Sequence, residues 1–302
     1  MGTPTTNRRA FITSAVAAGV AASAATAESA NRRPLDLEDP RDNLDAYIKA
    51  RSDVSGADAP LWSTGQAWSY IPGQRSKLLF RTTGLAISRT VRDDGGYTWL
   101  NRECLYFQDP ETGEVIDTWT NPFTEQEVQV FHIRNIHVNS RFDYGGGNRP
   151  ALQTYMEHMG DVTFYSDLMF FGPSPLSMED YPAYVGSPYY QGASVYNHHV
   201  RRDDLENLDL GAAPAIVSWI SNRQWAPWME MGSWAGGMVI STRGKKLTMV
   251  TDLPADILGY MEKNDPEYLR SPEEVTQDTT SFYEEFRKYV DDKRARQMEE
   301  KP

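Results

Sequence analysis

Four tryptophans, Trp219, Trp225, Trp228 and Trp234, lie within sixteen residues and enclose one cation and one acid, Arg223 and Glu230. Two methionines, Met229 and Met231, flank the acid. An arginine held among aromatic rings supplies a fixed positive charge for a carboxylate, phenolate or enolate oxygen. Trp219, Trp225 and Trp228 offer flat apolar walls for a ring-bearing ligand. Glu230, desolvated by such neighbours, would gain the raised pKa that an acid or base catalyst needs. The same residues also read as core packing around a buried Arg223–Glu230 ion pair.

His132 is the second reactive candidate. It falls in an expected strand, Val128 to Arg134, where Val128, Val130 and Arg134 share its face. There it is a candidate general base, with Arg134 as a second oxyanion partner. His137 follows five residues later. Strand positions five apart face opposite sides, and on a helix they are about 140° apart. A shared metal therefore requires a bend at Asn135, and a metal-free site is the expectation. Arg102 and Glu103 are neighbours on another expected strand, so one of them faces inward, and Glu103 shares its face with Asn101. Tyr106 and Asn139 complete the expected ligand-binding set with Glu103 and the tryptophans. Cys104, the only cysteine, reads as a buried structural thiol. His198 and His199 lie at a strand end beside Arg201 and Arg202 and read as structural or solvated. The chain has no Gly-x-Ser-x-Gly elbow, no His-Glu-x-x-His and no Walker phosphate loop. Gly145-Gly146-Gly147 lacks the strand–turn–helix setting of a dinucleotide site. No organic cofactor is expected.

The positioning elements are mostly strands. A polar stretch, 28–40, reads as a linker, and Asp42 to Arg51 as a short helix with Leu44, Tyr47 and Ile48 on one face. Leu79, Thr83, Leu85, Ile87 and Val91 alternate, with Arg81 and Arg89 at the same parity, which points to a polar-lined interior. Asp93-Asp94-Gly95-Gly96 and Asp109-Pro110-Glu111-Thr112-Gly113 supply turns. Val162–Phe171, Val195–Val200, Ala215–Ser221 and Gly237–Thr242 read as strands, with Thr242-Arg243-Gly244-Lys245 as a hairpin into Leu247–Thr251. The segment 173–192, rich in proline and tyrosine, reads as a long ordered loop of the lid or binding kind, and is an alternative place for the real site. Pro254–Lys263 and a segment capped by Ser271-Pro272-Glu273-Glu274 read as helices, the second with a frayed charged tail. The expectation is one mainly β domain, 41–298: an antiparallel barrel-like, calycin-like sheet with short helices at its N- and C-terminal ends. A two-sheet sandwich is the rival, and 299–302 reads as a disordered tail.

Compartment and partners come from composition and the N-terminus. A net charge of −12 argues against nucleic acid and anionic membrane surfaces. Asn7-Arg8-Arg9-Ala10-Phe11-Ile12, an Ala-rich run and Ala25-Thr26-Ala27 follow the order of a twin-arginine signal peptide cleaved after Ala27. The apolar run is too short and weakly hydrophobic for stable membrane insertion. A periplasmic or secreted protein, handled by the twin-arginine translocase, is expected.

Leu100-Asn101-Arg102-Glu103, Asp109-Pro110-x-Thr112-Gly113-Glu114-Val115, Trp119-x-Asn121-Pro122 and Ser218 to Gly232 together resemble the Domain of Unknown Function 1838 family over roughly 40 to 270. Members often carry export signals, which the resemblance extends to this chain, but it brings no established chemistry. The chain departs from the family at Asn135-Ile136-His137-Val138-Asn139, where an acid and a proline are usual, so a ligand different from that of other members is implied if that loop lines a site. The leading reading is an exported enzyme that performs cofactor-independent acid–base chemistry (isomerisation, elimination or hydrolysis) on a hydrophobic aromatic or terpenoid-like molecule. His132 and Glu230 would move the proton, with Arg223 and Arg134 as oxyanion partners. The alternative is a non-catalytic carrier barrel for a lipophilic ligand.

Overall fold

A computed structural model describes residues 31–146, 152–276 and 282–299. The signal-peptide expectation falls on residues 1–27, outside the described residues.

Helix α1 (Pro40–Arg51) begins where Asp39 accepts hydrogen bonds from the Arg41 and Asp42 backbone N–H groups, with Pro40 in the first turn. Then come β1 (Ala59–Tyr70), β2 (Leu78–Asp93), β3 (Gly96–Gln108), β4 (Thr118–Thr120), β5 (Glu127–Gln129), β6 (Ile133–Asp143) and β7 (Tyr155–His158). The second half holds β8 (Asp161–Pro173), β9 (Tyr189–Arg201), α2 (Arg202–Glu206), β10 (Ala215–Arg223), β11 (Gly237–Lys246), α3 (Ala255–Asn264) and α4 (Phe282–Glu299). Among the described residues, nine strands form one sheet in the order β6-β3-β2-β1-β11-β10-β9-β8-β7, and every pair is antiparallel. Two meanders are thus joined by pairing of β1 with β11. The sheet curls into a half-barrel. β6 and β7 end the strand order, and no pairing between them closes it among the described residues.

Helices and loops fill what the sheet leaves open. Tyr47 of α1 packs edge-on against Phe142 of β6 and Phe164 of β8, at 5.6 Å each, so α1 bridges the two ends of the strand order. A second apolar cluster joins the Trp228–Met231 segment to Phe80, Phe107, Val128, Phe286 and Val290. A third lies outside the sheet, where Ile257 and Met261 of α3 and Tyr268 cover Leu85, Cys104 and Tyr106.

Several local expectations change. Residues 59–70, unassigned from sequence, form a central strand. Val128 to Arg134 is not one strand: β5 ends at Gln129, β6 starts at Ile133, and His132 sits in the break. Thr242-Arg243-Gly244-Lys245 is not a hairpin but the end of β11. Gly244 serves close strand approach there, because a Cβ would lie 2.6 Å from the Trp62 carbonyl oxygen of β1. Leu247–Thr251 forms no strand, and a 3-10 turn spans Val250–Asp252. Ser271 caps no helix: its hydroxyl donates to Asp58, and 271–276 is irregular. The charged tail stays helical to Glu299. In the expected linker, Leu37 is buried and Arg33 N–H donates to the Glu206 carbonyl, which ties the segment to α2.

Candidate functional site

The concave side of the half-barrel holds a cavity of about 1220 Å³. Strand alternation decides which residues reach it: Trp99, Asn101, Glu103 and Leu105 from β3, Ser194, Tyr196 and His198 from β9, and Val217, Trp219 and Arg223 from β10. β6 adds Asn135 and His137, and α1 adds Tyr47 and Arg51. The register of β6 on β3 shifts between Asn101 and Glu103, so the Asn135–Val138 stretch of β6 holds one extra residue as a bulge.

Two walls carry the polar groups. On the first, Glu103 and Asn135 are register partners, and the Asn135 amide donates to Glu103 Oε1 at 2.6 Å. On the second, Trp219 and Tyr196 are register partners whose rings stack at 5.6 Å and 16°. The Arg223 guanidinium lies 5.7 Å from the Trp219 ring centroid, and its Nε donates to Ser221 Oγ at 3.1 Å. Arg51 lies 4.1 Å over the Trp99 ring and donates to the Tyr47 hydroxyl at 2.8 Å. Among the described residues, none of Arg51, Arg223 and Glu103 has an ion-pair partner.

These charges meet at Tyr196. Burial raises its phenol above the usual range, the Glu103 carboxylate raises it further, and Arg51 and Arg223 act in the opposite direction. Tyr196 therefore stays protonated, as a hydrogen-bond donor. β3 and β9 are separated by four strands in the sheet order, so Glu103 reaches Tyr196 across the hollow rather than along a strand. His198, also buried, is held well below its usual pKa by desolvation and then by Arg51, so it is neutral.

The sequence-derived site divides. Arg223, Trp219 and Glu103 line the cavity together, and so does His137. His132 does not: its Nδ1 accepts from the Phe107 backbone N–H at 3.1 Å, and its ring packs against Tyr106 and Phe107. His132 and His137 thus have separate surroundings, and no group of three His, Cys, Asp or Glu among the described residues could hold a metal ion. Glu230 pairs with Lys293 of α4 at 3.4 Å, so the Arg223–Glu230 ion pair is absent. Arg134 and Tyr106 face the outer side, where both bind Asp265. Trp228 is core, against Phe80, Phe107 and Trp119. Asn139 donates to the Thr276 carbonyl instead of facing the cavity. Arg81 is exposed and Arg89 turns to Asp58, so neither gives the interior its polarity.

Trp225 lines a second, smaller pocket of about 260 Å³ with Trp234, Tyr184 and Gly186. Tyr190 and Tyr283 line both spaces. Sequence reasoning missed Arg51, Tyr196 and His198. Alternation of Ser194, Tyr196 and His198 along β9 was a usable signal for two of them. Nothing local marks Arg51, whose place depends on how α1 docks.

Residues 56–290 match the model of a family described as a protein of unknown function, DUF1838. No curated protein matches the chain.

Proposed function

The chain belongs to the DUF1838 family, and because that description carries no activity we propose one from the cavity itself: binding of a small amphiphilic molecule through an anionic or developing-anionic oxygen, followed by proton transfer on it. The supporting observation is the set of charges around Tyr196: the Glu103 carboxylate and the Arg51 and Arg223 guanidiniums face a single hollow, which Glu284 of α4 also lines, and among the described residues they do not pair with one another. Unpaired charges in a partly desolvated site are costly, and functional sites are where such arrangements collect.

Glu103, oriented by Asn135, replaces His132 and Glu230 as the proton-transfer group. Its carboxylate would take a proton from a carbon next to a carbonyl, the electron pair moving onto the carbonyl oxygen as an enolate. Arg223 and Arg51 would stabilise that oxygen, and the Tyr196 O–H would donate to it. Return of the proton to another carbon is an isomerisation, and loss of a leaving group instead is an elimination. Trp219 and the apolar residues Leu105 and Val217 favour a ligand with a hydrophobic ring.

Solvent-deuterium exchange tests the proposal. Host-cell metabolites incubated with the protein in heavy water should yield one labelled species by mass spectrometry. The label should fall at least about a hundredfold with Glu103→Gln, while native mass spectrometry still finds the ligand bound. Equal labelling by the variant would remove Glu103 from this role. A carrier function is the second reading, favoured by a volume above the roughly 300–1,000 Å³ of common small-molecule sites. An intact ligand that co-purifies and never exchanges would support it. Export stays part of the proposal, and N-terminal sequencing of the mature protein should begin at Glu28.

A further inference from the structure

The smaller pocket differs in chemistry from the cavity it adjoins. Among the described residues, no acidic or basic side chain lines it. Its walls are Trp225, Trp234, Tyr184 and Pro227, with Gly186 and Gly232 between them. Trp225 is held in place by its Nε1, which donates to the Trp234 carbonyl at 3.2 Å, and by Phe123 at 5.7 Å. Trp234 is 47% exposed and lies 6.3 Å from Phe123. An exposed tryptophan over an uncharged hollow has apolar surface to offer. The rim comes from the 174–187 loop, whose Gly186 leaves no room for a side chain: a Cβ would lie 2.4 Å from the Gly232 carbonyl oxygen. The pocket therefore depends on close approach of two backbones.

Tyr190 and Tyr283 line both this pocket and the main cavity, so the two spaces are adjacent, and their ring centroids are 6.2 Å apart and nearly perpendicular. A volume of 260 Å³ accommodates a ring, since cavities of about 150 Å³ take up benzene. We propose that the smaller pocket is a second subsite for the same ligand and receives an uncharged ring, while the anionic end of that molecule sits near Arg223 and Arg51. The ligand is then an elongated anionic amphiphile, longer than a single ring. The proposal rests on the main cavity being a ligand site.

Two anionic probes separate the two ideas, both titrated against the full chain. Anilinonaphthalene sulfonate has several rings and benzenesulfonate has one. Arg223→Met should weaken both about tenfold. Trp234→Ala and Ser233→Trp, at exposed positions on the smaller pocket, should weaken anilinonaphthalene sulfonate about tenfold and leave benzenesulfonate unchanged. If neither variant changes anilinonaphthalene sulfonate affinity, or if both change the two probes equally, the second subsite is refuted. If Arg223→Met leaves both affinities intact, the reading of the main cavity fails instead.

Discussion

His132 and His198 are both buried, and burial is the largest cause holding each imidazole neutral, with His132 pushed down to about 3 and His198 well below its usual value. The sign of the consequence follows from proton uptake. Below about pH 6.5 the unfolded chain protonates these rings and the folded chain does not, so acid favours unfolding. Between pH 6.5 and 5 His132 alone should cost on the order of 1–2 kcal/mol of stability, and His198 acts in the same direction. Urea melts across this range should show the loss, and His132→Gln should flatten the slope. A slope unchanged by that substitution would mean the imidazole is protonated in the fold. His132 was attractive from sequence because its neighbours alternate as in a strand. The chain breaks at 130–132 instead, and the ring turns to serve the Phe107 backbone. Glu103 was legible as one of two adjacent charges of which one faces inward, and strand alternation alone predicted that.

At the scale of elements, the outer layer over β2 and β3 depends on one carboxylate. Asp265, at the end of α3, accepts from Tyr106 Oη at 2.8 Å and pairs with Arg134 Nε at 2.8 Å. The Asp265 side chain is 6% exposed. Removing its charge leaves a partly buried guanidinium without its partner, and Asp265→Asn should destabilise the protein by about 3 kcal/mol, measured by urea denaturation. A loss under about 0.5 kcal/mol would show the pair to be solvated. This layer also explains a misread strand. Leu85 packs with Ile257 and Met261 of α3, and Gly84, Leu85, Ala86 and Ser88 all contribute atoms to the cavity wall. With both faces of β2 covered, hydrophobic alternation cannot say which parity is the interior. β1 was hidden for another reason: its outward face carries the exposed aromatic residues Trp68 and Tyr70, so that face is no more polar than the one with the cavity-lining Leu61 and Ser63.

For the molecule as a whole, an open half-barrel leaves a gap that something other than a strand must span. α1 does so through Tyr47, which contacts Phe142, Phe164 and His198 together. Tyr47→Ala should cost about 3–4 kcal/mol, measured by urea denaturation, and should also loosen Arg51 from its hydroxyl partner and weaken binding of either sulfonate probe. Full stability in that variant would show that α1 is an appendage. At the other end, Phe286 of α4 packs on Phe131 at 5.2 Å and on Tyr184 at 5.3 Å. The helix thereby connects the Trp-rich core with the loop that rims the smaller pocket.

Composition, turn chemistry and period-2 patterning were enough to establish a mainly β chain with helices near its ends, because these properties depend on near neighbours. The Asp93–Gly96 turn formed as read, with Asp93 Oδ1 accepting from the Gly95 and Gly96 backbone N–H groups. The family followed from motifs that are themselves local. Which charges face one another is a different kind of fact. Glu103, Tyr196, Arg223 and Arg51 come from β3, β9, β10 and α1, and only the curl of the sheet and the docking of a helix bring them to one hollow. Side-chain spacing along a chain carries no record of that curvature, so the site belonged to the tertiary structure.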